Sequence, residues 1–220
     1  MIDKNGPKLS HVLWLGGASD SGKTTIAQIL GQKNRWQLYL CDMHEHNHLI
    51  ARSQPDLHPV TYNNLSKSID EKWIFTTPEE MFQDIMSTNN ERFPMICYDL
   101  NVMPSKPIIL VEGPRLFPNL VQPMLSDIHQ AIWLLPTDEF AENSASQRDK
   151  PKMRYESCNA DLFKSNFFER ERLLRNYIRK EVFSLKLPYI EITGIESVDI
   201  IANKVELHYK EYIGNKQDKN

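Results

Sequence analysis

The chain has 220 residues and a nearly balanced charge, with 26 Lys and Arg against 29 Asp and Glu and a net charge of −3. This length is enough to bury one substantial hydrophobic core, and the balance provides no broad attraction to nucleic acid or to an anionic membrane. The three cysteines are widely spaced, which excludes a disulfide framework and favours a reducing compartment. Without a signal-peptide pattern or a membrane-length apolar run, we expect a cytoplasmic protein with no nucleic-acid or membrane partner, present as a monomer or homodimer.

The first predicted strand, at residues 12–15, leads into a glycine-rich loop and then a helix from residue 25 onward. Residues 17–24 fit G-x-x-x-x-G-K-[ST] at every fixed position. In this context the glycines let main-chain N–H groups face phosphate oxygens, and the helix N-terminus adds positive potential. The motif therefore predicts binding of a nucleoside triphosphate, with Lys23 on the β- and γ-phosphates and Thr24 on Mg²⁺. The residues expected to bind the nucleotide are Gly17, Ala18, Ser19, Asp20, Ser21, Gly22, Lys23, Thr24 and Thr25.

Four further apolar segments predict buried strands, at residues 36–41, 107–111, 131–135 and 188–192. Helices are predicted at about 78–86, 118–128, 160–185 and 196–212. This alternation predicts an α/β fold, with a doubly wound, five-stranded parallel sheet flanked by helices. We expect one domain over residues 1–213 and a polar tail over 214–220.

Two segments lack a regular pattern and are longer than ordinary connections. Residues 42–76 are rich in His, Asn, Ser and Pro, and residues 143–159 are polar and basic. Long irregular loops in compact domains are usually functional. We therefore assign residues 42–106 to the acceptor side of the site and expect residues 143–159 to form a mobile lid.

Two carboxylates follow predicted strands and should lie at the same edge of the sheet as the phosphate loop. Asp42 follows the second strand, where it could orient an attacking hydroxyl or take its proton; capping the next segment is the alternative role. Glu112 follows the third strand, where it could support Mg²⁺ or receive a substrate hydroxyl; a solvated loop position is the alternative. Asp42 is the candidate catalytic base, and Glu112 is a candidate ligand of both metal and substrate.

Three histidines alternate directly after Asp42, at His44, His46 and His48. Three imidazoles on one side of an extended segment could bind zinc, but no cysteine pair or helical H-E-x-x-H accompanies them. Lining the acceptor pocket is the interpretation we favour for His44 and His46, and a polar loop without a direct role is the remaining possibility.

Basic residues cluster before the long predicted helix. A guanidinium brought in by a closing lid stabilises the charge that develops on a transferring phosphoryl group. Arg148 is the best candidate because it ends the helical stretch after the fourth strand, and Arg172 on the long helix could also face the phosphates. The other possibility is a solvated charged loop; the cluster consists of Arg148, Lys150, Lys152 and Arg154.

These motifs together resemble those of P-loop small-molecule kinases, the group that contains nucleoside monophosphate, uridine, gluconate and shikimate kinases. Residues 16–25 look like the uridine-kinase form of the loop, and residues 111–118 with 131–137 are similar to uncharacterised bacterial proteins of this class. The likeness spans roughly residues 10–210. It implies a P-loop fold, phosphate and magnesium roles for Lys23 and Thr24, a base or acceptor-binding role for Asp42, and a lid at residues 146–154.

The sequence thus predicts an ATP- and Mg²⁺-dependent kinase that phosphorylates a hydroxyl of a small molecule. Lys23, Asp42 and Arg148 are the predicted catalytic residues, and Asp42, His44, His46 and Glu112 the predicted substrate-binding ones. Two alternatives remain open. One is an antibiotic or nucleoside-sugar phosphotransferase, and the other is an NTP-binding switch or ATPase module without a small-molecule acceptor.

Overall fold

The computed structural model describes residues 9–148 and 151–217. In these ranges the strands are β1 Val12–Gly17, β2 Gln37–Leu40, β3 Ile109–Glu112, β4 Ala131–Pro136 and β5 Tyr189–Ile192. All of their pairings are parallel, and the order across the sheet is β2-β3-β1-β4-β5. This confirms the predicted α/β fold with a five-stranded parallel sheet.

Helices of very different length connect and flank the strands. In chain order they are α1 Lys23–Asn34, α2 Cys41–His46, α3 Pro59–Ser66, α4 Ile69–Trp73, α5 Pro78–Val102, α6 Pro118–Val121, α7 Asp138–Gln147, α8 Ala160–Ser184 and α9 Val198–Gln217. A turn of π-helix covers Asn47–Ala51, and 3₁₀ turns cover Gln122–Met124, Ile128–Gln130 and Lys152–Glu156.

The sheet separates two hydrophobic layers, and successive side chains of β1 pack alternately into one layer and the other. Val12 and Trp14 pack with α5, α6 and α8 on one face, whereas Leu13 and Leu15 pack with α1 and α9 on the other. This period of two follows from the geometry of an extended chain. The Tyr209 hydroxyl of α9 donates a 2.9 Å hydrogen bond to the Trp14 carbonyl across 195 residues of sequence, which joins the last helix to the central strand.

Helix α5 begins where the sequence predicts but continues well beyond the predicted end at residue 86. The Thr77 hydroxyl accepts a hydrogen bond from the Glu80 N–H, and the Glu80 carboxylate accepts one from the Thr77 N–H, which makes a capping box. The extension to Val102 is stabilised by tertiary packing, because Phe93 and Leu100 are fully buried in the core.

The segment predicted to be irregular, residues 42–76, is mostly helical, and that prediction was wrong. It forms α2, the π-helical turn, α3 and α4, which are too short to show a clear apolar period. Local caps and contacts with α5 stabilise them instead. Ser68 and Glu71 form a capping box at α4, and the Glu91 carboxylate of α5 accepts hydrogen bonds from the Val60 and Thr61 N–H groups, at 3.0 and 2.8 Å.

The other element boundaries differ from prediction at three places. The helix predicted at 118–128 ends at Val121 and gives way to a 3₁₀ turn, in which Pro123 lacks the N–H that a longer helix would need. The lid region contains the end of α7 and the 3₁₀ turn Lys152–Glu156. The predicted tail continues α9 up to Gln217, and residues 218–220 lie outside the described residues.

Candidate active site

The phosphate loop joins the carboxyl end of β1 to the start of α1 through three backbone conformations of positive φ. These are 130° at Gly17, 61° at Asp20 and 82° at Gly22. Glycine adopts such conformations without steric cost, and Asp tolerates them better than most residues. At Gly17 space also matters, because a Cβ there would lie 2.2 Å from the Leu134 carbonyl oxygen. The glycines of the motif are therefore required by the loop's geometry.

Lys23 is buried within this loop. Its ammonium group donates hydrogen bonds to the Ala18 carbonyl at 2.6 Å and to the Ser21 hydroxyl at 3.2 Å. Burial lowers the pKa of Lys23, and the negative charges of Glu112 and Asp42 oppose that shift. The loop thus encloses a desolvated cation, which is suited to an anionic ligand.

Thr24 and Glu112 meet at the ends of α1 and β3. The Thr24 hydroxyl donates to Glu112 Oε1 at 3.0 Å, and among the described residues the buried Glu112 Oε2 has no hydrogen-bond partner. Burial raises the pKa of Glu112, with the Lys23 charge and the Thr24 hydroxyl acting against it. A hydroxyl and a carboxylate with a free oxygen are ligands that Mg²⁺ accepts alongside phosphate oxygens and water, so these two residues fit the predicted metal.

Asp42 lies in the first turn of α2 and lines two neighbouring cavities. The first, which we call the phosphate cavity, has a volume of about 160 Å³ and is lined by phosphate-loop residues together with Asp42, Glu112 and Arg148. The second, the central cavity, has a volume of about 290 Å³ and also contacts Ala18 and Ser19. Asp42 is therefore shared by the walls of the two cavities.

Arg148 lies at the mouth of the phosphate cavity. Its guanidinium forms a 3.0 Å ion pair with Asp20 of the loop, and 57% of its side chain is exposed. The other members of the predicted basic cluster are placed differently. Arg154 is buried and donates to the Pro151 carbonyl and to the Tyr155 hydroxyl, Lys152 is exposed, and Lys150 lies outside the described residues.

A third cavity, the outer cavity, adjoins the central one and has a volume of about 400 Å³. The two share Glu45, Ile85, Arg115 and Arg170 among their lining residues. Apolar and polar residues contribute equally to the rest of its wall, and a cavity that combines the two suits a small organic ligand with polar groups. These lining residues are Leu49, Thr61, Asn64, Leu65, Lys72, Trp73, Met81, Asp84, Thr88 and Met153.

A charged cluster that was not predicted from the sequence lies between these two cavities. The Glu45 carboxylate lies 3.3 Å from Arg92 Nη1 and 3.8 Å from Arg115 Nη2. Arg92 is only 1% exposed, and it also donates to the Cys41 carbonyl at the start of α2. A charged residue in the core face of α5 is unusual. That position of Arg92 in the apolar pattern was the available signal.

A second missed cluster closes the central cavity from α8. Arg170 donates to Glu171 Oε1 at 2.5 Å, and its guanidinium lies 4.4 Å from the centre of the Trp73 ring. Burial raises the pKa of Glu171, but the Arg170 charge and a hydrogen bond with Ser19 outweigh it, so that the pKa falls below its usual value. The prediction for Arg172 was wrong, because that residue forms a surface pair with Glu169.

The histidines after Asp42 do not line any of the three cavities, contrary to the acceptor-binding prediction for His44 and His46. His44 stacks on Tyr39, with ring centres 4.0 Å apart, and His46 is exposed. His48 is fully buried on the far side of α2. Within residues 9–148 and 151–217, no three His, Cys, Asp or Glu side chains are grouped so that they could hold a metal ion.

The strand order and the phosphate loop between β1 and α1 define a P-loop α/β fold, as the sequence predicts. No protein-family model matches the chain, and the search of curated proteins returns no match. Solved structures that resemble it include an uncharacterized protein from Eubacterium ventriosum, with 11% identity and a TM-score of 0.46 over 91% of this chain and 98% of that one.

Deoxyadenosine kinase from M. mycoides is a further structural neighbour. With bound dATP it has 11% identity and a TM-score of 0.45, over 94% of this chain and 99% of that one. With bound dCTP the TM-score is 0.42 over 95% and 100%. Scores at this level assign neither an activity nor a substrate to the present chain.

In the part of the chain that the structure describes, no helix combines the length and apolar character needed to span a membrane.

Proposed function

We propose that the protein is an ATP- and Mg²⁺-dependent phosphotransferase that moves the γ-phosphate to a hydroxyl of a small molecule bound in the central and outer cavities. The observation that supports this most strongly is the position of Asp42, an acidic residue that lines both the phosphate cavity and the central cavity. A donor site, an acceptor-sized site and a carboxylate between them are the elements that in-line phosphoryl transfer requires.

Each polar group of the phosphate cavity has a distinct role in this proposal. Lys23 and the loop N–H groups hold the β- and γ-phosphates, while Thr24 and Glu112 hold the metal, which neutralises charge on the phosphate oxygens when bound. Arg148 moves from its pair with Asp20 towards the transferring group, where a guanidinium stabilises the equatorial oxygens. The exposed side chain of Arg148 allows that motion.

Asp42 orients the acceptor hydroxyl and takes its proton. As the acceptor oxygen forms its bond to the γ-phosphorus, the bond from that phosphorus to the β–γ bridging oxygen breaks, and ADP leaves. Glu45 is a second carboxylate at the acceptor side, three residues further along α2. We assign it to holding a hydroxyl of the acceptor rather than to proton transfer, because it lines the central and outer cavities but not the phosphate cavity.

The outer cavity also distinguishes this proposal from an NTP-binding switch. A switch needs no cavity of about 400 Å³ next to the central cavity, whereas a phosphotransferase needs space for its acceptor. An antibiotic or nucleoside-sugar phosphotransferase is a narrower form of the same proposal, and the acceptor decides between them.

The test is ADP release from Mg·ATP, measured with and without each member of a panel of alcohols: deoxyadenosine, uridine, gluconate, shikimate and kanamycin. We expect one class to stimulate ADP release strongly and to yield a phosphorylated product detectable by mass spectrometry. The Lys23→Ala variant is the control for contaminating kinases. Hydrolysis of ATP that no acceptor stimulates would favour the switch or ATPase instead.

A further inference from the structure

A partly buried group of hydrogen-bonded residues lies outside all three cavities. Its centre is Asp99 of α5, whose carboxylate accepts hydrogen bonds from His48 Nε2 at 2.7 Å, from the Tyr39 hydroxyl at 2.7 Å and from Arg52 Nη1 at 2.6 Å. His48 is completely buried in the π-helical turn. None of the functional roles proposed above uses this group.

The partners of His48 fix its tautomer. An ionised carboxylate can only accept a hydrogen bond, so Nε2 carries the proton, and Nδ1 is left as an acceptor. At Nδ1 the ring faces Arg92 Nε, which donates at 3.4 Å. Burial lowers the pKa of His48, with Asp99 acting in the opposite direction, and this agrees with a neutral ring between a carboxylate and a guanidinium.

Arg92 extends these contacts to the site. Its guanidinium bonds to the Cys41 carbonyl, the Glu45 carboxylate and His48 Nδ1, which lie four and three residues apart on one face of the helical segment. The position of Glu45 at the central and outer cavities therefore depends on a buried arginine, which is itself oriented by His48 and Asp99.

We propose that Asp99, His48 and Arg92 form a relay that positions the Glu45 carboxylate at the acceptor side of the site. His48 and Asp99 are then positioning residues, because they contact neither the cavities nor a substrate. This proposal depends on the phosphotransferase function proposed above for the role of Glu45, but the contacts of the relay can be tested without it.

Two substitutions at one position break different links of the relay. In His48→Gln the side-chain amide reaches Asp99 as Nε2 does, but Arg92 Nε loses the acceptor that His48 Nδ1 provides. In His48→Asn the shorter side chain retains an acceptor for Arg92 and loses the contact with Asp99. His129→Gln is the matched control, because His129 lies in the 3₁₀ turn before β4, where it pairs with Asp127 and Glu211.

The first measurement is amide hydrogen exchange in α2 and the π-helical turn, which requires no acceptor. We expect exchange to accelerate roughly tenfold in His48→Gln, because a buried guanidinium loses a partner, and to accelerate less in His48→Asn. The control should match the wild type. Unchanged exchange in both His48 variants would overturn the relay. If His48→Gln does not fold, the test uses His48→Asn. Amide exchange that is faster only in α2 and the π-helical turn of that variant would then support the relay.

The second measurement is a double-mutant cycle with Glu45→Gln, which uses the panel member that gives the most ADP release. If the relay acts through Glu45, His48→Gln should raise KM for the acceptor about tenfold with Glu45 present and less than twofold in the Glu45→Gln background. Equal effects in both backgrounds would overturn the positioning role. If no panel member stimulates the wild type, the proposed function fails, and the exchange data alone judge the relay.

Discussion

The phosphate cavity and the outer cavity adjoin the same central cavity, but they are built from different parts of the chain. One continuous loop, residues 17–25, contributes most of the residues that line the phosphate cavity. The residues that line the outer cavity come mainly from five helices, α2, α3, α4, α5 and α8. We therefore expect the donor side to tolerate substitutions elsewhere in the protein, and the acceptor side to be sensitive to the packing of five helices.

Lys23→Ala should have the largest effect, since it removes the charge at the centre of the phosphate cavity. We expect acceptor-stimulated ADP release to fall by about three orders of magnitude or more, with the folded structure retained. Circular dichroism and steady-state kinetics are the measurements. Lys33→Ala on the same helix is the matched control, because Lys33 pairs with Glu206 away from the site. Normal turnover in Lys23→Ala would remove the donor assignment.

Asp42→Asn should lower kcat by about two to four orders of magnitude while the affinity for ATP changes little, which is the usual scale for loss of a catalytic base. Glu45→Gln should act mainly on KM for the acceptor, because Glu45 lines only the acceptor side. Kinetics and calorimetry with Mg·ATP measure both effects. If Glu45→Gln is the variant with the larger loss of kcat, the two carboxylates exchange roles.

Arg92→Met tests whether the acceptor side can be weakened alone. We expect it to lower the free energy of unfolding by about 3 kcal/mol, because the Cys41 carbonyl and His48 lose their buried partner, while the affinity of folded protein for ATP is retained. Urea unfolding and calorimetry provide the two values. Arg172→Met is the control and should leave both unchanged, since Arg172 is exposed. A parallel loss of ATP affinity in Arg92→Met would contradict the independence of the two sides.

Mild acid should destabilise the acceptor side by a smaller amount. Burial lowers the pKa of His48 in the folded protein, so the unfolded chain binds more protons just below the ordinary histidine pKa of about 6.5. The contribution of the neutral His48 ring to the free energy of unfolding is therefore complete above that pH. As the pH falls towards the folded-state pKa this contribution is lost, and the free energy of unfolding decreases by at most about 1.4 kcal/mol per pH unit.

Urea unfolding between pH 7.5 and 5.5 measures this dependence, and His48→Gln should flatten it. Asp99 acts at lower pH. Burial would raise its pKa, but hydrogen bonds from His48, Tyr39 and Arg52 hold it below its usual value, so its contribution is lost only in stronger acid. An unchanged slope in His48→Gln would assign the dependence to other groups.

The donor side was predictable because its information is local. A contiguous motif specifies the loop. Because parallel strands end at the same edge of a sheet, Asp42 and Glu112 could also be predicted to lie near it. The acceptor side depends on which helix faces meet. Glu45 and Arg92 are separated by 47 residues and come together only because α5 continues beyond its predicted end. The short helices after Asp42 were missed because caps and contacts with Glu91 stabilise them, which an apolar period does not reveal.

The hydrogen bond from Tyr209 to the Trp14 carbonyl has a consequence for biosynthesis. The helix that covers one face of the strand carrying the phosphate loop is synthesised about 195 residues after that strand. During synthesis this face of the central strand therefore stays uncovered until α9 has been made, which leaves apolar surface exposed for that time.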